Sequence, residues 1–344
     1  MRGLDFSTLA AGQQRSAWLD AQNPVYGRPN WNRFRALMDN LGNSYAQDFF
    51  IYTAKLGAMN ANASAIAAVQ IEKNSAFDLI ALCGGATTAA ANALSTNFNV
   101  NFQIVDGAGS RNLFSSAVPM ANFLGGGASP FTLPIIRRFM PATQITVTAS
   151  NIDTNNLTDC QVSFIGRKLF MDAMPGQRQA PPPRFNAWRD QQTGTVYTED
   201  FFIYDFSIPT LASQATTPVT VIIQADSDFE WIMSSFTAAG DSVGSPTSPP
   251  LDGNATPILV QVFDGGSGRN IFNQAVPVGF IAGSAVSARS IATAAGAGID
   301  PFVLPQPRIF LAKTPVTVTF TNASTTVFDI LHFSMIGRKI FAQD

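Results

Sequence analysis

The sequence predicts an all-β protein: two tandem antiparallel β-sandwich (jelly-roll) domains from an internal duplication, with an N-terminal arm that carries a short helix. Two observations lead to this prediction. Short motifs recur in the same order in both halves of the chain, and short strand-like runs separated by Gly, Pro and Asn fill both halves. A length of 344 residues also fits two domains of ordinary size.

The repeat is carried by four motifs rather than one. They are Asp-Gly-x-x-x-Arg-Asn (residues 106–112 and 264–270), Asp-Phe-Phe-Ile-Tyr (48–52 and 200–204), Pro-Phe-x-Leu-Pro (130–134 and 301–305) and Ile-Gly-Arg-Lys (165–168 and 336–339). The motif and flanking positions that we single out as structural are Asp106, Arg111, Asn112, Arg137, Gly166 and Arg167, repeated as Asp264, Arg269, Asn270, Arg308, Gly337 and Arg338. A match in four separate places indicates a tandem duplication of one domain.

These repeats set the expected boundaries. They are an N-terminal arm at 1–46, a first jelly roll at 47–171, a Pro-rich linker at 172–198 and a second jelly roll at 199–344. Within the arm, Trp31, Phe34, Leu37 and Met38 have helical spacing, which predicts a short amphipathic helix over 31–38. It either packs on its own first domain or reaches a neighbouring subunit. The run Pro181-Pro182-Pro183 predicts an extended, semi-rigid spacer.

Each unit contains about seven or eight predicted strands. In the first unit they cover residues 49–56, 65–72, 77–83, 98–105, 135–139, 144–151 and 161–170. Residues 144–149 alternate polar and apolar side chains, as a half-buried strand does, and residues 316–321 repeat the alternation. Because no helices alternate with these strands, the pattern favours antiparallel sandwiches. The second unit adds a long insertion rich in Ala, Gly and Ser within residues 278–299, which we interpret as a surface loop.

The composition points to a protein partner and away from nucleic acid. Apolar residues make up 46% of the chain and charged residues only 13%, with a formal net charge of −2. Direct contact with nucleic acid is therefore not expected, because no basic cluster is present to displace counterions from phosphates. Such a weakly charged surface is suited to burial between protein subunits.

Neither a disulfide nor a membrane segment is expected. Cys83 and Cys160 both lie in the first unit and have no counterpart in the second, so we interpret them as free, buried thiols. Residues 1–20 lack the apolar core of a signal peptide, and the uncharged run at 79–105 is too rich in Gly, Asn, Thr and Ser for a spanning helix.

The sequence offers little chemistry, and we expect no enzyme, no metal and no cofactor. Its one histidine, His332, aligns with Gln161 in the first unit, which favours a structural role in a strand. The Gly-x-Ser-x-Gly spacing at 240–244 precedes a Pro- and Ser-rich stretch that cannot open the helix a nucleophile elbow needs. The acidic run at 226–230 lacks the ligand spacing of a calcium loop and is interpreted as a solvated turn.

The repeated motifs have direct structural explanations. The Asp and Gly of the polar turn at 106–112 favour a tight turn, and its Arg can pair with its own Asp or cap exposed carbonyls. In Ile-Gly-Arg-Lys, a glycine permits close backbone approach, so we expect a role at a sheet edge or in packing between the domains.

With these motifs in place, the chain resembles the double jelly-roll major capsid proteins of icosahedral viruses, including lipid-containing bacteriophages. The motifs that carry the resemblance span most of residues 47–341. It implies a homotrimer whose six sandwiches form a pseudo-hexagonal tile, made in the host cytoplasm and incorporated into the virion with other virion proteins. It leaves open whether a membrane lies beneath the shell.

Two alternatives remain at this stage. One is a decoration, collar or tail structural protein of a tailed phage, built from the same sandwiches. The other is a carbohydrate-binding or adhesin module, which would be expected to repeat its tryptophans. Trp18, Trp31, Trp188 and Trp231 have no counterparts within the aligned motifs.

Overall fold

The fold was analysed in a computed structural model. It describes residues 35–38, 44–88, 98–109, 111–126, 130–170, 186–189, 196–240, 251, 256–283 and 301–342. In these residues the protein is almost entirely antiparallel β-structure arranged in four sheets, which confirms the predicted fold class.

The first half forms jelly roll 1. Its elements are β1 (Arg35–Met38), β2 (Ser44–Lys55), β3 (Ser64–Gln70), β4 (Ser75–Thr87), β5 (Val100–Asp106), β6 (Arg111–Asn112), β7 (Val118–Pro119), the short helix α1 (Met120–Phe123), β8 (Phe131–Phe139), β9 (Gln144–Asn151) and β10 (Asp159–Phe170). One sheet has the order β1-β2-β10-β4-β8, and the other has the order β3-β9-β5-β6 with β7 beside β5. Strands that are distant in sequence are thus neighbours, and successive strands cross between the sheets as in a jelly roll.

The second half, jelly roll 2, repeats this order. Its elements are β11 (Asn186–Arg189), β12 (Val196–Leu211), β13 (Thr216–Ile222), β14 (Asp228–Gly240), β15 (Ile258–Asp264), β16 (Arg269–Asn270), β17 (Val276–Pro277), a 3₁₀ turn (Val278–Phe280), β18 (Phe302–Phe310), β19 (Pro315–Asn322) and β20 (Phe328–Ala342). The sheet orders are β11-β12-β20-β14-β18 and β13-β19-β15-β16, with β17 beside β15. Each element of jelly roll 1 therefore has an equivalent in jelly roll 2.

The hydrophobic cores lie between the two sheets of each jelly roll. In β5 and β9 every second residue is buried, which is the burial expected of strands with one face toward a core. Tyr52 and Phe77 meet edge to face with ring centroids 4.9 Å apart, and the equivalent Tyr204 and Phe229 do the same at 4.7 Å. The repeated aromatic residues thus fill equivalent places in two similar cores.

The predicted helix at 31–38 is wrong where the structure describes it. Residues 35–38 form β1, which pairs with the start of β2, and the equivalent β11 pairs with β12 inside the predicted linker. The structural repeat therefore begins before residue 47. The sequence itself indicates this earlier start of the repeat, because Arg33-Phe34-x-Ala36 recurs as Arg184-Phe185-x-Ala187. A short apolar spacing cannot separate a helix from a strand, and the pairing with β2 decides the conformation here.

The glycines of Ile-Gly-Arg-Lys lie in central strands, so the expected role at a sheet edge is wrong. Gly166 lies in β10, between β2 and β4, at an irregularity of the β10–β4 register. A Cβ atom there would lie 1.9 Å from the carbonyl oxygen of Asp78, and one at Gly337 would lie 1.8 Å from that of Glu230. The expected close backbone approach is therefore present, but it occurs within a sheet.

Several predicted features lie outside the described residues. They are the arm before residue 35, the proline run 181–183, residues 241–244 of the Gly-x-Ser-x-Gly spacing and residues 284–299 of the insertion.

Candidate assembly interface

The two jelly rolls contact each other through two different surfaces. We call the segment 111–126 together with β8 the leading face of jelly roll 1, and the outer surface of β12 and β20 the trailing face of jelly roll 2. Ser115 N donates to Ile203 O at 2.9 Å, Ile203 N donates to Leu113 O at 3.2 Å, and Phe114 and Ile203 form a parallel β-bridge. A leading face and a trailing face therefore meet head to tail.

Apolar side chains fill the centre of this contact. The ring centroids of Phe131 and Phe201 are 6.4 Å apart. Phe201, Ile203 and Ile336 are fully buried and belong to the same continuous cluster as the core of jelly roll 1. Because the core continues across the contact, hydrophobic burial stabilises the pair of jelly rolls as it stabilises each alone.

An ion cluster closes one side of the contact. Arg137 Nη2 donates to Asp106 Oδ2 at 2.7 Å, and Arg137 Nη1 pairs with Asp200 of jelly roll 2. All three side chains are nearly inaccessible to solvent, with Arg137 only 3% exposed. Asp106 also accepts a bond from Ala108 N at 3.0 Å, which forms the tight turn. The Asp of the polar turn thus pairs with Arg137 of another strand.

Arg111 instead points toward jelly roll 2. Its Nη2 lies 3.9 Å from Asp226 Oδ2, and its guanidinium lies 5.2 Å from the centre of the Phe341 ring. Asp226 also lies 3.6 Å from Lys339 Nζ. Burial lowers the pKa of Lys339 to about 8, with Asp226 opposing and Arg111 adding to this shift. The polar turn of jelly roll 1 therefore places a second cation at the contact.

A buried polar cluster lies at the same contact. His332 Nδ1 lies 2.6 Å from Asp205 Oδ2, and Ser334 Oγ donates to Asp205 Oδ1 at 2.7 Å. From jelly roll 1, Asn122 Nδ2 donates to Ser334 Oγ at 2.9 Å, while Ser115 Oγ accepts a bond from Asp205 N at 3.0 Å. The serine donates to the aspartate rather than to the histidine, unlike the contact that activates a catalytic serine. His332 therefore lies in a strand, β20, as expected from the sequence, and its ring contacts a carboxylate.

The repeated polar turn in jelly roll 2 has the same internal geometry but a different exposure. Arg308 Nη2 donates to Asp264 Oδ2 at 2.7 Å, and Asp264 also accepts bonds from Gly266 N and from Ser267 N and Oγ. Burial would raise the pKa of Asp264, but these bonds together hold it below its usual value. The Arg308 side chain is 41% exposed, whereas that of its equivalent Arg137 is 3% exposed. Arg269 is exposed and its equivalent Arg111 is half-buried, while Asn270 and its equivalent Asn112 are both exposed.

The arginines of Ile-Gly-Arg-Lys pair within their own sheets. Arg167 Nε and Arg138 Nε donate to the fully buried Asp78 at 3.1 and 2.6 Å, and Arg167 also binds Gln47 at 3.0 Å. Burial would raise the pKa of Asp78, but the two arginines hold it below its usual value. Arg338 pairs in the same way with Glu230 and Glu199. These ion pairs connect neighbouring strands of each sheet.

The equivalents of the contact residues remain solvent-exposed on the rest of the chain. On β2, the residue equivalent to Ile203 is Ile51, which is 43% exposed. On jelly roll 2, the residue equivalent to Asn122 is Phe280, which is 67% exposed. Jelly roll 1 thus has a trailing face, on β2 and β10, and jelly roll 2 has a leading face, formed by residues 269–283 and β18. Neither face is covered by the intrachain contact.

Where jelly rolls 1 and 2 meet, Phe98, Asn99, Thr237 and Ile330 line a small crevice. Among the described residues, no group of three or more His, Cys, Asp or Glu side chains could hold a metal ion. No helix in this part of the chain is long and apolar enough to cross a membrane.

Both thiols are free, as predicted, but only Cys160 is fully buried. Cys83 is half-buried, and its Sγ donates to Gly126 O at 3.5 Å. Burial raises the pKa of Cys83 to about 11 and, together with the neighbouring Asp159, that of Cys160 to about 12.

Sequence reasoning identified the repeated arginines but missed their acidic partners across the contact. Asp200 belongs to Asp-Phe-Phe-Ile-Tyr, which the sequence indicated only as the start of a strand. A clue was available, because Asp200 is a charged residue that is repeated, as Asp48, directly before two apolar residues.

No protein-family model matches the chain, and a search of curated proteins finds no significant match. Solved structures share the arrangement of strands only distantly. A chain of the atomic structure of Sulfolobus Turreted Icosahedral Virus is 12% identical with a TM-score of 0.34, and the alignment covers 84% of this chain and 90% of that one. A chain of the PBCV-1 virus capsid is 9% identical with a TM-score of 0.32, covering 93% and 97%.

A peptide-N(4)-(N-acetyl-β-D-glucosaminyl)asparagine amidase is 6% identical with a TM-score of 0.33, covering 85% and 100%. At these identities and TM-scores the comparisons carry no argument about function. The fold assignment rests on the strand order given above.

Proposed function

We propose that this protein is a structural protein of a virion, a double jelly-roll major capsid protein that assembles as trimers into an icosahedral shell. The observation that supports this is the head-to-tail contact between the two jelly rolls. It uses one leading face and one trailing face and leaves one of each exposed on every chain. A chain with two complementary free faces can bind further copies of itself.

A head-to-tail contact forms a closed ring when its rotation divides a full turn, and otherwise forms a filament. Three chains would place six jelly rolls in one ring in which every leading face covers a trailing face. This ring would be the pseudo-hexagonal tile that the resemblance in sequence implies. The low share of charged residues, 13%, suits surfaces that are buried in such an assembly.

In this proposal the protein binds copies of itself and other virion proteins, is made in the host cytoplasm and acts in the virion without enzymatic activity. The polar cluster around Asp205 and His332 supports a structural role, because its donors and acceptors connect the two jelly rolls and are buried from any substrate. The weak charge gives no support for direct binding to nucleic acid.

Light scattering of the purified protein, with negative-stain images of the same peak, tests the proposal. We expect a trimer with a hexagonal outline, or shells that form from it. A stable monomer that binds pre-made particles would favour a decoration protein of a tailed phage. A monomer that binds glycans would favour an adhesin.

A further inference from the structure

We propose that the exposed leading face of jelly roll 2 binds the exposed trailing face of jelly roll 1 in a second copy of this chain, in the arrangement shown by the intrachain contact. This inference rests on the proposed self-assembly and specifies the residues that carry it. It follows from comparing equivalent positions in the two jelly rolls.

The ion pairs are complementary at the two free faces. Within the chain, Arg137 binds Asp106 of its own jelly roll and Asp200 of the next. The equivalent Arg308 binds Asp264 at 2.7 Å and remains 41% exposed. The residue equivalent to Asp200 is Asp48, which is exposed near the start of β2. Asp48 of the second copy would therefore complete around Arg308 the cluster that Asp200 completes around Arg137.

The apolar contacts are also complementary. Phe114 bridges to Ile203 within the chain. The equivalent pair between copies is Phe272, which is half-buried, and Ile51, which is 43% exposed. Phe280 adds a large exposed side chain to the same leading face. Docking would remove these apolar side chains from water, which stabilises association.

The centre of the second contact differs from the first in one respect. Within the chain, Asn122 meets Ser334, which lies beside Asp205 and His332. At the contact between copies, Phe280 would meet the equivalents of these residues, which are neutral. They are Ser163, Thr53 and Gln161.

Thr53 Oγ1 and Ser163 Oγ lie 3.0 Å apart and satisfy each other, so an apolar ring can cover them without leaving a charge unpaired. At the intrachain contact, Phe280 in place of Asn122 would instead remove the bond from Asn122 Nδ2 to Ser334 Oγ, beside the buried Asp205 carboxylate. This difference favours a ring in which jelly rolls 1 and 2 alternate.

Two single substitutions test this inference, each on one face. Ile51→Asp places a carboxylate on the trailing face, and Phe280→Asp places one on the leading face. We expect each variant to weaken self-association about 100-fold or more, because the carboxylate would be buried without a partner. Each retains the other face, so an equimolar mixture should form a complex of two chains, one of each variant, and stop there. Analytical ultracentrifugation of the variants and of the mixture measures this.

Ile66→Asp is the matched control, because Ile66 is 71% exposed on β3, in the other sheet, and it should self-associate like the wild type. Formation of the mixed complex also shows that both variants are folded, since each must supply an intact face. Trimers of either single variant, or the absence of a mixed complex, would overturn the inference while leaving the proposed function standing. If the two variants form the mixed complex but the wild-type protein forms neither a tile nor a shell, the proposed function is overturned instead.

Discussion

Replacing the equivalent arginines Arg137 and Arg308 with methionine should affect two different properties. Arg137→Met should mainly lower the stability of the folded chain, and Arg308→Met should mainly weaken assembly. Arg137→Met leaves Asp106 and Asp200 without the cation between them, and both carboxylates are almost fully buried. Removing one partner of a buried ion pair costs about 3–5 kcal/mol, so the free energy of unfolding should fall by about that amount. Arg308→Met removes a partly exposed cation from Asp264, which keeps its bonds to Gly266 and Ser267. Within a single chain this should cost about 1 kcal/mol or less.

Urea unfolding of both variants in the Ile51→Asp background separates stability from assembly, because that background is expected to be monomeric. The same pair in the wild-type background is then compared by ultracentrifugation. In that background the Arg308→Met trimer should dissociate at protein concentrations at which the wild-type trimer remains intact. The reason is that Asp48 of the neighbouring copy no longer faces a cation. Equal losses of unfolding free energy in the monomeric background would refute the reasoning. The ion pairs of Arg137 and Arg308 would then contribute equally to the stability of a single chain, despite their different burial.

The remaining predictions concern stability and chemical reactivity. Gly337→Ala should cost about 3 kcal/mol of unfolding free energy, because its Cβ would overlap the Glu230 carbonyl oxygen at 1.8 Å, whereas Gly268→Ala, at φ +64° with open space around it, should cost about 1 kcal/mol. Lys339 has a folded pKa of about 8 and an ordinary value of 10.5, so the unfolded chain holds more protons between these values. Wild-type stability should therefore rise relative to Lys339→Met as the pH rises from about 8 toward 10, and denaturation at several pH values checks this. Cys160, with a pKa of about 12, should react with a thiol reagent at pH 8 far more slowly in the native protein than in urea.

The strands within each jelly roll could be predicted because their signals are local. Residues 144–149 alternate in sequence, and β9 (Gln144–Asn151) alternates in burial at the same positions. The repeat then extended each assignment to the second half. The segment at 31–38 was misassigned because four apolar residues fit both a helix turn and a strand, and only β2, which follows it, decides between them.

The candidate interface could not be predicted from local patterns. Whether the turn aspartate pairs with Arg111, five positions away, or with Arg137 on another strand depends on how the two sheets are arranged. The contact with Asp200 depends further on how the two jelly rolls meet. His332 lies in a strand, as the sequence indicated, yet its partner Asp205 is 127 positions away in the sequence. Such pairings are set by the tertiary structure, which composition and spacing do not encode.

The repeated Asp-Phe-Phe-Ile-Tyr motif is explained more fully by assembly than by folding. In jelly roll 2, Asp200 and Ile203 are buried against jelly roll 1, so packing within the chain accounts for both residue types. In jelly roll 1, the equivalent Asp48 and Ile51 are exposed, and the fold of a single chain places no such requirement on them. An exposed isoleucine beside a carboxylate adds little to the stability of an isolated domain. If a second chain covers β2 as jelly roll 1 covers β12, both occurrences of the motif are buried at equivalent contacts. The same residue types are then required at both places, which explains why the two motifs are identical.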